Sequence, residues 1–310
     1  MTPFKKLYKK IENYDVITLF SHVYPDGDAV GSLIGLKEAI KTTFPNKKVY
    51  AISTGVEDFK EITGEFDEVK EEIIANSFAI ILDVANSERV EDQRFKLAKE
   101  TFLIDHHIFV HTYTNEAIID TEKIATSEII ADFIFENKMK ISPLGASSLL
   151  LGIITDSGRF MYEKTSTLTF NLAAKLLQKG AELSKINNIL MRKTLDQLRF
   201  RGYILSNFKA RDGVTYIVIT KEILEEHNLD FESAGTFVNQ IGNIDGYPIW
   251  ASFVEISEKE ILVELRSNKY NVQEVAVLFG GGGHRLAAGC KIDSFSKVEA
   301  VVNELIKKIK

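Results

Sequence analysis

Six residues with a strong taste for divalent cations, His22, Asp26, Asp28, Asp83, His106 and Asp156, are scattered through the first half of the sequence. Most stand where an apolar run stops. The segment Ser21-His22-Val23-Tyr24-Pro25-Asp26-Gly27-Asp28-Ala29-Val30-Gly31-Ser32 lies where a strand-like run, Asp15–Ser21, gives way to a helical pattern. Pro25 and Gly27 set a tight turn there. His22, Asp26 and Asp28 are then expected to project from the strand's carboxyl end, into the crevice where open α/β sheets bind ligands. Two aspartates at spacing two repel unless a cation sits between them. Ile80-Ile81-Leu82-Asp83 and Phe102-Leu103-Ile104-Asp105-His106-His107 are further strands ending on polar groups, and Gly152-Ile153-Ile154-Thr155-Asp156-Ser157-Gly158-Arg159-Phe160 closes a helix. Adjacent His106 and His107 are expected to point apart and serve different tasks. Any one of these acids also reads as a helix cap or turn residue. Three strand ends and a helix end that all finish on Asp or His do not.

Four carboxylates and two imidazoles without a thiolate suit a pair of divalent ions, with Mn²⁺ favoured and Mg²⁺, Co²⁺ or Fe²⁺ as alternatives. A structural Zn²⁺ site would want cysteines, and Cys290 is the only one. Two ions a few ångströms apart would clamp a water and a phosphoryl oxygen for in-line displacement. A fifth cluster, Phe279-Gly280-Gly281-Gly282-Gly283-His284-Arg285-Leu286-Ala287-Ala288-Gly289, lies far off in sequence. Its glycines let backbone N–H groups surround an anion, and a helix-like start after them is expected to add its dipole. His284 and Arg266 could supply phosphate or base contacts. His111 and His227 read as bystanders, and Trp250 as core.

The elements that must position these groups alternate through the first 120 residues: strands at 15–21, 48–53, 78–82 and 101–104, and a helix at 29–43. That pattern predicts a mostly parallel α/β sheet. Helices are expected at 126–137, 143–154 and 167–179, and a connecting helix at about 185–208. From Val214 the texture becomes that of a smaller α+β domain, with strands at 214–220, 249–256 and 261–266 and helices at 221–227, 234–242, 272–279 and 296–309. The basic N-terminus reads as a short amphipathic helix without the apolar stretch of a secretory signal. No run approaches the roughly 20 apolar residues of a membrane span. A lone cysteine fits a reducing cytosol, so a cytoplasmic protein is expected. The formal net charge is −6, and all of the acidic excess lies in residues 1–190, with 22 basic against 28 acidic residues. An acidic chain argues against an extended groove for long duplex nucleic acid.

In combination, the His22–Ser32 turn, the strand-end Asp83, the Asp105-His106-His107 triplet, the Thr155–Phe160 segment and the Gly280–Gly289 segment resemble the DHH phosphoesterases and their DHHA1 substrate-binding domain. The resemblance covers nearly the whole chain. Its size is most similar to the nanoRNase/pAp phosphatase subfamily, bacterial oligoribonucleases that also act on 3′-phosphoadenosine 5′-phosphate (pAp). It implies a parallel-sheet DHH domain with helices on both faces (1–184), a helical linker (185–208) acting as a hinge, and a DHHA1 domain (209–310). It also implies His22 and Asp26 on one Mn²⁺, Asp28, His106 and Asp156 on the other, and Asp83 bridging them. Asp105 would orient its neighbour and His107 would touch the scissile phosphate, while Arg266, Gly282, Gly283 and His284 hold the nucleotide. The expected reaction is hydrolysis of very short RNA to 5′-mononucleotides and of pAp at its 3′-phosphate. The rival readings are a cyclic di-AMP or linear pApA phosphodiesterase and a non-catalytic nucleotide-binding regulator. A homodimer is compatible with the sequence.

Overall fold

Short apolar runs of the first unit become the strands β1 (Val16–Phe20), β2 (Lys48–Ile52), β3 (Phe78–Leu82), β4 (Glu100–Asp105) and β5 (Glu116–Ile119). They are all parallel, in the order β2-β1-β3-β4-β5. β5 was not expected from the sequence. The computed structural model describes residues 2–108, 113–230 and 237–310. His111 lies outside the described residues. The chain divides into two units, Met1–Arg192 and Lys193–Lys310.

In the first unit α1 (Pro3–Asn13), α2 (Gly27–Thr43), α3 (Lys60–Thr63), α4 (Glu71–Ala75), α5 (Thr126–Glu136), α6 (Pro143–Asp156), α7 (Thr167–Gln178) and α8 (Leu183–Met191) surround the sheet. Side chains alternate across a strand. Ile17, Leu19, Ile80, Leu82 and Ile104 therefore enter the core shared with α1, α2, α5 and α6. Phe20, Ala79, Ile81 and Leu103 face the other way, against Ile74 of α4 and Phe95 of a short 3₁₀ turn. Residues Gly145 to Ile154 of α6 are buried without exception, as an apolar-all-round helix requires. α6 lies so close to α2 that a side chain at Gly31 would collide with the Ser148 carbonyl. The strand order reverses between β1 and β3, and in doubly wound sheets the carboxyl end of that switch point is where ligands bind.

The second unit holds β6 (Lys209–Arg211), β7 (Val214–Ile219), β8 (Ile249–Ser257), β9 (Glu260–Ser267), β10 (Gly282–His284) and β11 (Ala287–Ile292), in the order β10-β11-β9-β8-β7-β6. All pairings are antiparallel except β7 with β8. The helices α11 (Gln273–Leu278) and α12 (Val298–Ile309) cover one face, over Phe253, Val263 and Leu265. On the other face α9 (Leu195–Asn207) and α10 (Lys221–Glu226) bury Ile217, Trp250 and Val254 of β7 and β8. On that same face Glu264 and Arg266 of β9 stay partly exposed and His284 of β10 is exposed.

Three expectations change. The connecting helix at 185–208 is two helices, α8 and α9, because Thr194 starts α9 afresh with a capping box closed by Gln197. Of the helix expected at 234–242, part lies outside the described residues and Val238–Ile241 is a 3₁₀ turn. No helix follows the glycine run. Gly282–His284 pairs with Ala287–Gly289 as a hairpin, and the missing side chains allow that close pairing: a Cβ at Gly283 would lie 2.7 Å from the Cα of Ala288. Gly282 has open space around it instead.

Candidate active site

β1 delivers His22, whose backbone bridges to Val90 and whose next residue, Val23, donates its N–H to the Arg89 carbonyl at 2.8 Å. The imidazole Nδ1 lies 2.9 Å from the carbonyl of Val23. A carbonyl only accepts, so Nδ1 carries the proton and Nε2 is left to face acids. Nε2 is 3.6 Å from Asp83 Oδ2 and 3.8 Å from Asp26 Oδ1. Asp26 is the N-cap of α2, accepting from the N–H groups of Asp28 and Ala29 at 3.0 Å each. Asp28, expected on the turn, sits in the first helical turn and faces away, toward α5.

That placement explains an odd helix start. The N-cap position before α5 is Ala125, whose side chain cannot cap. The Asp28 carboxylate does the capping from another helix, accepting from the N–H of Thr126 at 2.7 Å and of Ser127 at 2.9 Å. Asp83 ends β3 with φ 62°, a left-handed conformation that Asp and Asn tolerate better than most residues. Its Oδ1 accepts from Thr126 Oγ1 at 3.0 Å.

His106 and His107 follow β4, and both reach Asp83 Oδ1, each at 3.5 Å. The expectation that they point apart is therefore corrected. Their surroundings separate them instead, since His106 is 14% exposed and His107 48%. His106 Nδ1 faces the Lys123 carbonyl at 3.4 Å, and Nε2 faces Asp156 Oδ2 at 3.4 Å and Asp28 Oδ2 at 3.9 Å. Nε2 is cut off from solvent and has no hydrogen-bond partner among the described residues. A buried orphan nitrogen among three carboxylates is what a bound cation would satisfy, so the residues present fit a divalent metal. His107 Nδ1 lies 2.8 Å from Asp105 Oδ1, which also accepts the His107 backbone N–H at 3.1 Å.

Candidate ligand atoms gather as two groups with no member in common, His22–Asp26–Asp83 and Asp28–His106–Asp156, and a third made of Asp83, His106 and His107. The aspartates at spacing two thus belong to different groups, and no ion between them is needed to explain their proximity. Crowded acids hold protons. Burial, with Asp83 and Asp26 nearby, pushes Asp156 up to about 8. Burial and the same Asp83 together with Asp156 raise Asp28 well above the carboxylate range. Burial works against a charge on His22, but Asp26 and Asp83 outweigh it and raise His22 to about 10. Burial lowers His106, while the bond to Asp105 raises His107.

These directions give a testable pH dependence. Asp156 favours its proton when folded, so its stabilising share falls as pH climbs from about 4 toward 8. The share from charged His22 is complete below 6.5 and lost as pH rises through about 10. The two losses add between about pH 6.5 and 8, and above 8 the His22 loss continues. Metal-free protein, prepared by chelation, is expected to lose about 5 °C in Tm between pH 6.5 and 9. Mn²⁺ should abolish that loss and release protons, read by calorimetry in buffers of different ionisation enthalpy. A flat metal-free profile would contradict the crowding.

Thr126, Ser127 and Gly152 escaped the sequence reading. The one local signal was Ala125 at a helix start, which means that a distant group does the capping. Gly152 of α6 lies under Asp28, and a Cβ there would be 2.7 Å from Asp28 Oδ1 and closer still to Ser127 Oγ. In the second unit the β9–β11–β10 register puts Arg266, Ala287 and His284 side by side on one face. Arg285, given no role, donates to the Lys269 carbonyl at 3.0 Å. His227 packs edge-on to Phe200, and Trp250 is core, as expected.

A parallel sheet that collects acids and imidazoles at its switch point, in a chain that also carries a glycine-hairpin sheet, has the donor set that metal-assisted hydrolysis of phosphate esters needs. A sequence profile for the DHH family, N-terminal domain, matches residues 16–153, and one for the DHHA1 domain matches residues 213–310. The chain belongs to the DHH/DHHA1 phosphoesterase family. It is 33% identical over 306 residues to the probable bifunctional oligoribonuclease and PAP phosphatase NrnA of Streptococcus mutans, covering 98% of each. With the Bacillus subtilis bifunctional oligoribonuclease and PAP phosphatase NrnA it shares 32% over 304 residues, 97% of this chain and 96% of that one. Among solved structures, an exopolyphosphatase-related protein of Bacteroides fragilis superposes with a TM-score of 0.86 at 26% identity, covering 98% and 95% of the two chains. Among the described residues no helix is long and apolar enough to cross a membrane.

Proposed function

We propose that this phosphoesterase hydrolyses very short RNA oligonucleotides to 5′-mononucleotides and removes the 3′-phosphate of pAp, with two divalent ions, Mn²⁺ by preference. The observation that carries the two-ion reading is the disposition of Asp83. Its Oδ2 faces His22 and its Oδ1 faces His106, so one carboxylate serves both groups. His22, Asp26 and Asp83 would hold one ion, and Asp28, His106, Asp156 and Asp83 the other. When bound, such a pair lowers the pKa of a water and offsets charge developing on the transferred phosphoryl group.

This chain's own groups do the rest. Thr126 and the α5 amides orient Asp83 and Asp28 through their hydrogen bonds. Asp105 accepts from His107 Nδ1 and raises the His107 pKa, so the imidazolium, protonated at Nε2 as well, is the form that donates toward a phosphate oxygen. Arg266, His284 and the N–H groups of Gly282 and Gly283 recognise the nucleotide. The substrate class draws support from relatives named as oligoribonucleases and PAP phosphatases along nearly their whole length. A short oligomer also suits an acidic chain, because few phosphates need neutralising.

The test is a side-by-side turnover assay on a dinucleotide, pAp, pApA and cyclic di-AMP. The dinucleotide and pAp are expected to turn over about a hundredfold faster than the cyclic compound. Faster cleavage of cyclic di-AMP would move the assignment to a cyclic-dinucleotide phosphodiesterase. Tight nucleotide binding without turnover at saturating Mn²⁺ would move it to a regulator.

A further inference from the structure

A carboxylate stands where the proposed reading needs an anion to bind. Glu264 precedes Arg266 by two positions on β9, so both side chains leave the same face of the sheet. Its Oε1 accepts from an Arg266 terminal nitrogen at 3.3 Å. The other terminal nitrogen of Arg266 donates to the Leu265 carbonyl at 3.1 Å. Glu264 is 20% exposed and Arg266 26%. Glu264 Oε2 is sealed from solvent on the side of the Ser252 hydroxyl, with no hydrogen bond of ordinary length among the described residues. Across the sheet Glu264 stands opposite Ser252 on one side and Gly289 on the other, while Arg266 stands opposite Trp250 and Ala287. The row through Arg266 continues to His284. An ion pair between two partly exposed groups adds little net stability, since desolvation offsets the attraction. Stability therefore does not account for an acid at this place.

We propose that Glu264 is a positioning residue for Arg266: it clamps the guanidinium along the sheet and tempers its pull on the anionic substrate. The inference rests on the nucleotide-recognition role given to Arg266 above. Two of the guanidinium's N–H groups are engaged, and the remainder of its five stay free for a phosphate. By pairing with the guanidinium, Glu264 competes with that phosphate for it and weakens the binding without blocking it. Burial raises the Glu264 pKa, outweighing the opposing pull of Arg266 and Ser252. The arrangement favours release of a mononucleotide product over its retention.

The experiment is a double-mutant cycle on the full chain with Mn²⁺ in excess, measuring kcat and KM on the dinucleotide for the wild type, E264Q, R266A and the double variant. Glutamine keeps the shape and the acceptor while removing the charge. E264Q is expected to lower KM about three- to tenfold, because the guanidinium no longer shares its charge with a carboxylate and pairs more fully with the phosphate, with kcat within about twofold. In the R266A background the same substitution should leave KM unchanged, while R266A alone raises KM. If E264Q leaves KM the same or raises it although R266A still weakens binding, the proposal fails and the Arg266 assignment survives. An equal fall in KM with and without Arg266 would show a bare through-space charge, and the clamp is overturned. If R266A has no effect, the recognition role itself falls, and the clamp with it.

Discussion

Replacing Asp83 by Asn is expected to lower turnover at least about a thousandfold, some 4 kcal/mol of transition-state stabilisation, while the protein stays folded. The reasoning starts from the backbone. Asp83 has φ 62°, so alanine would add backbone strain of about 1–2 kcal/mol and confuse the result, whereas asparagine tolerates that region. Asn also keeps an oxygen for the Thr126 hydroxyl. It loses the charge that lets one side chain serve His22 and His106 at once. Calorimetry with Mn²⁺ should show the stoichiometry fall by one site or the affinity drop more than about tenfold. Near wild-type turnover by a folded Asp83→Asn protein at saturating Mn²⁺ would end the bridging assignment.

Gly152→Ala is expected to cost about a hundredfold in turnover, though it touches no proposed ligand other than Asp28. The added Cβ must displace either Asp28 Oδ1, 2.7 Å away, or the Ser127 side chain that lies closer. Both belong to the contact by which α2 caps α5. A misplacement of about 1 Å in a reacting constellation costs on the order of 10² in rate, and overpacking of a close helix contact costs about 1–3 kcal/mol in stability. The signature is a weakened Mn²⁺ affinity together with a lower Tm. Unchanged kinetics in this variant would mean that α2 and α6 can separate without moving Asp28, and the account of how Asp28 is held would be wrong.

That the structure brings the expected donors close together has a local cause. A strand that must be buried ends where polar residues begin, so Asp83 and the Asp105–His107 triplet announce themselves as strand ends. A Pro-Asp-Gly turn before a helix announces Asp26 in the same way. Where sequence reading erred, non-local geometry decided. The glycine run reads as a loop before a helix, but pairing with Ala287–Gly289 makes it a hairpin. The Lys185–Phe208 stretch has continuous helical periodicity, yet the Thr194 capping box breaks it.

By itself, then, the order of residues determined which side chains are candidate cation ligands and that they would gather at the carboxyl end of a parallel sheet. These are matters of residue type and of strand and helix periodicity, which act over a few neighbours. Only the tertiary structure decided which acid faces which imidazole: that Asp28 turns away from Asp26 to cap α5, that Asp83 divides its two oxygens, and that Glu264 lies on Arg266. Those choices depend on the distance between helices packed glycine to glycine and on strand register. Both are set by contacts between segments far apart in the chain, which leave no periodic trace in it.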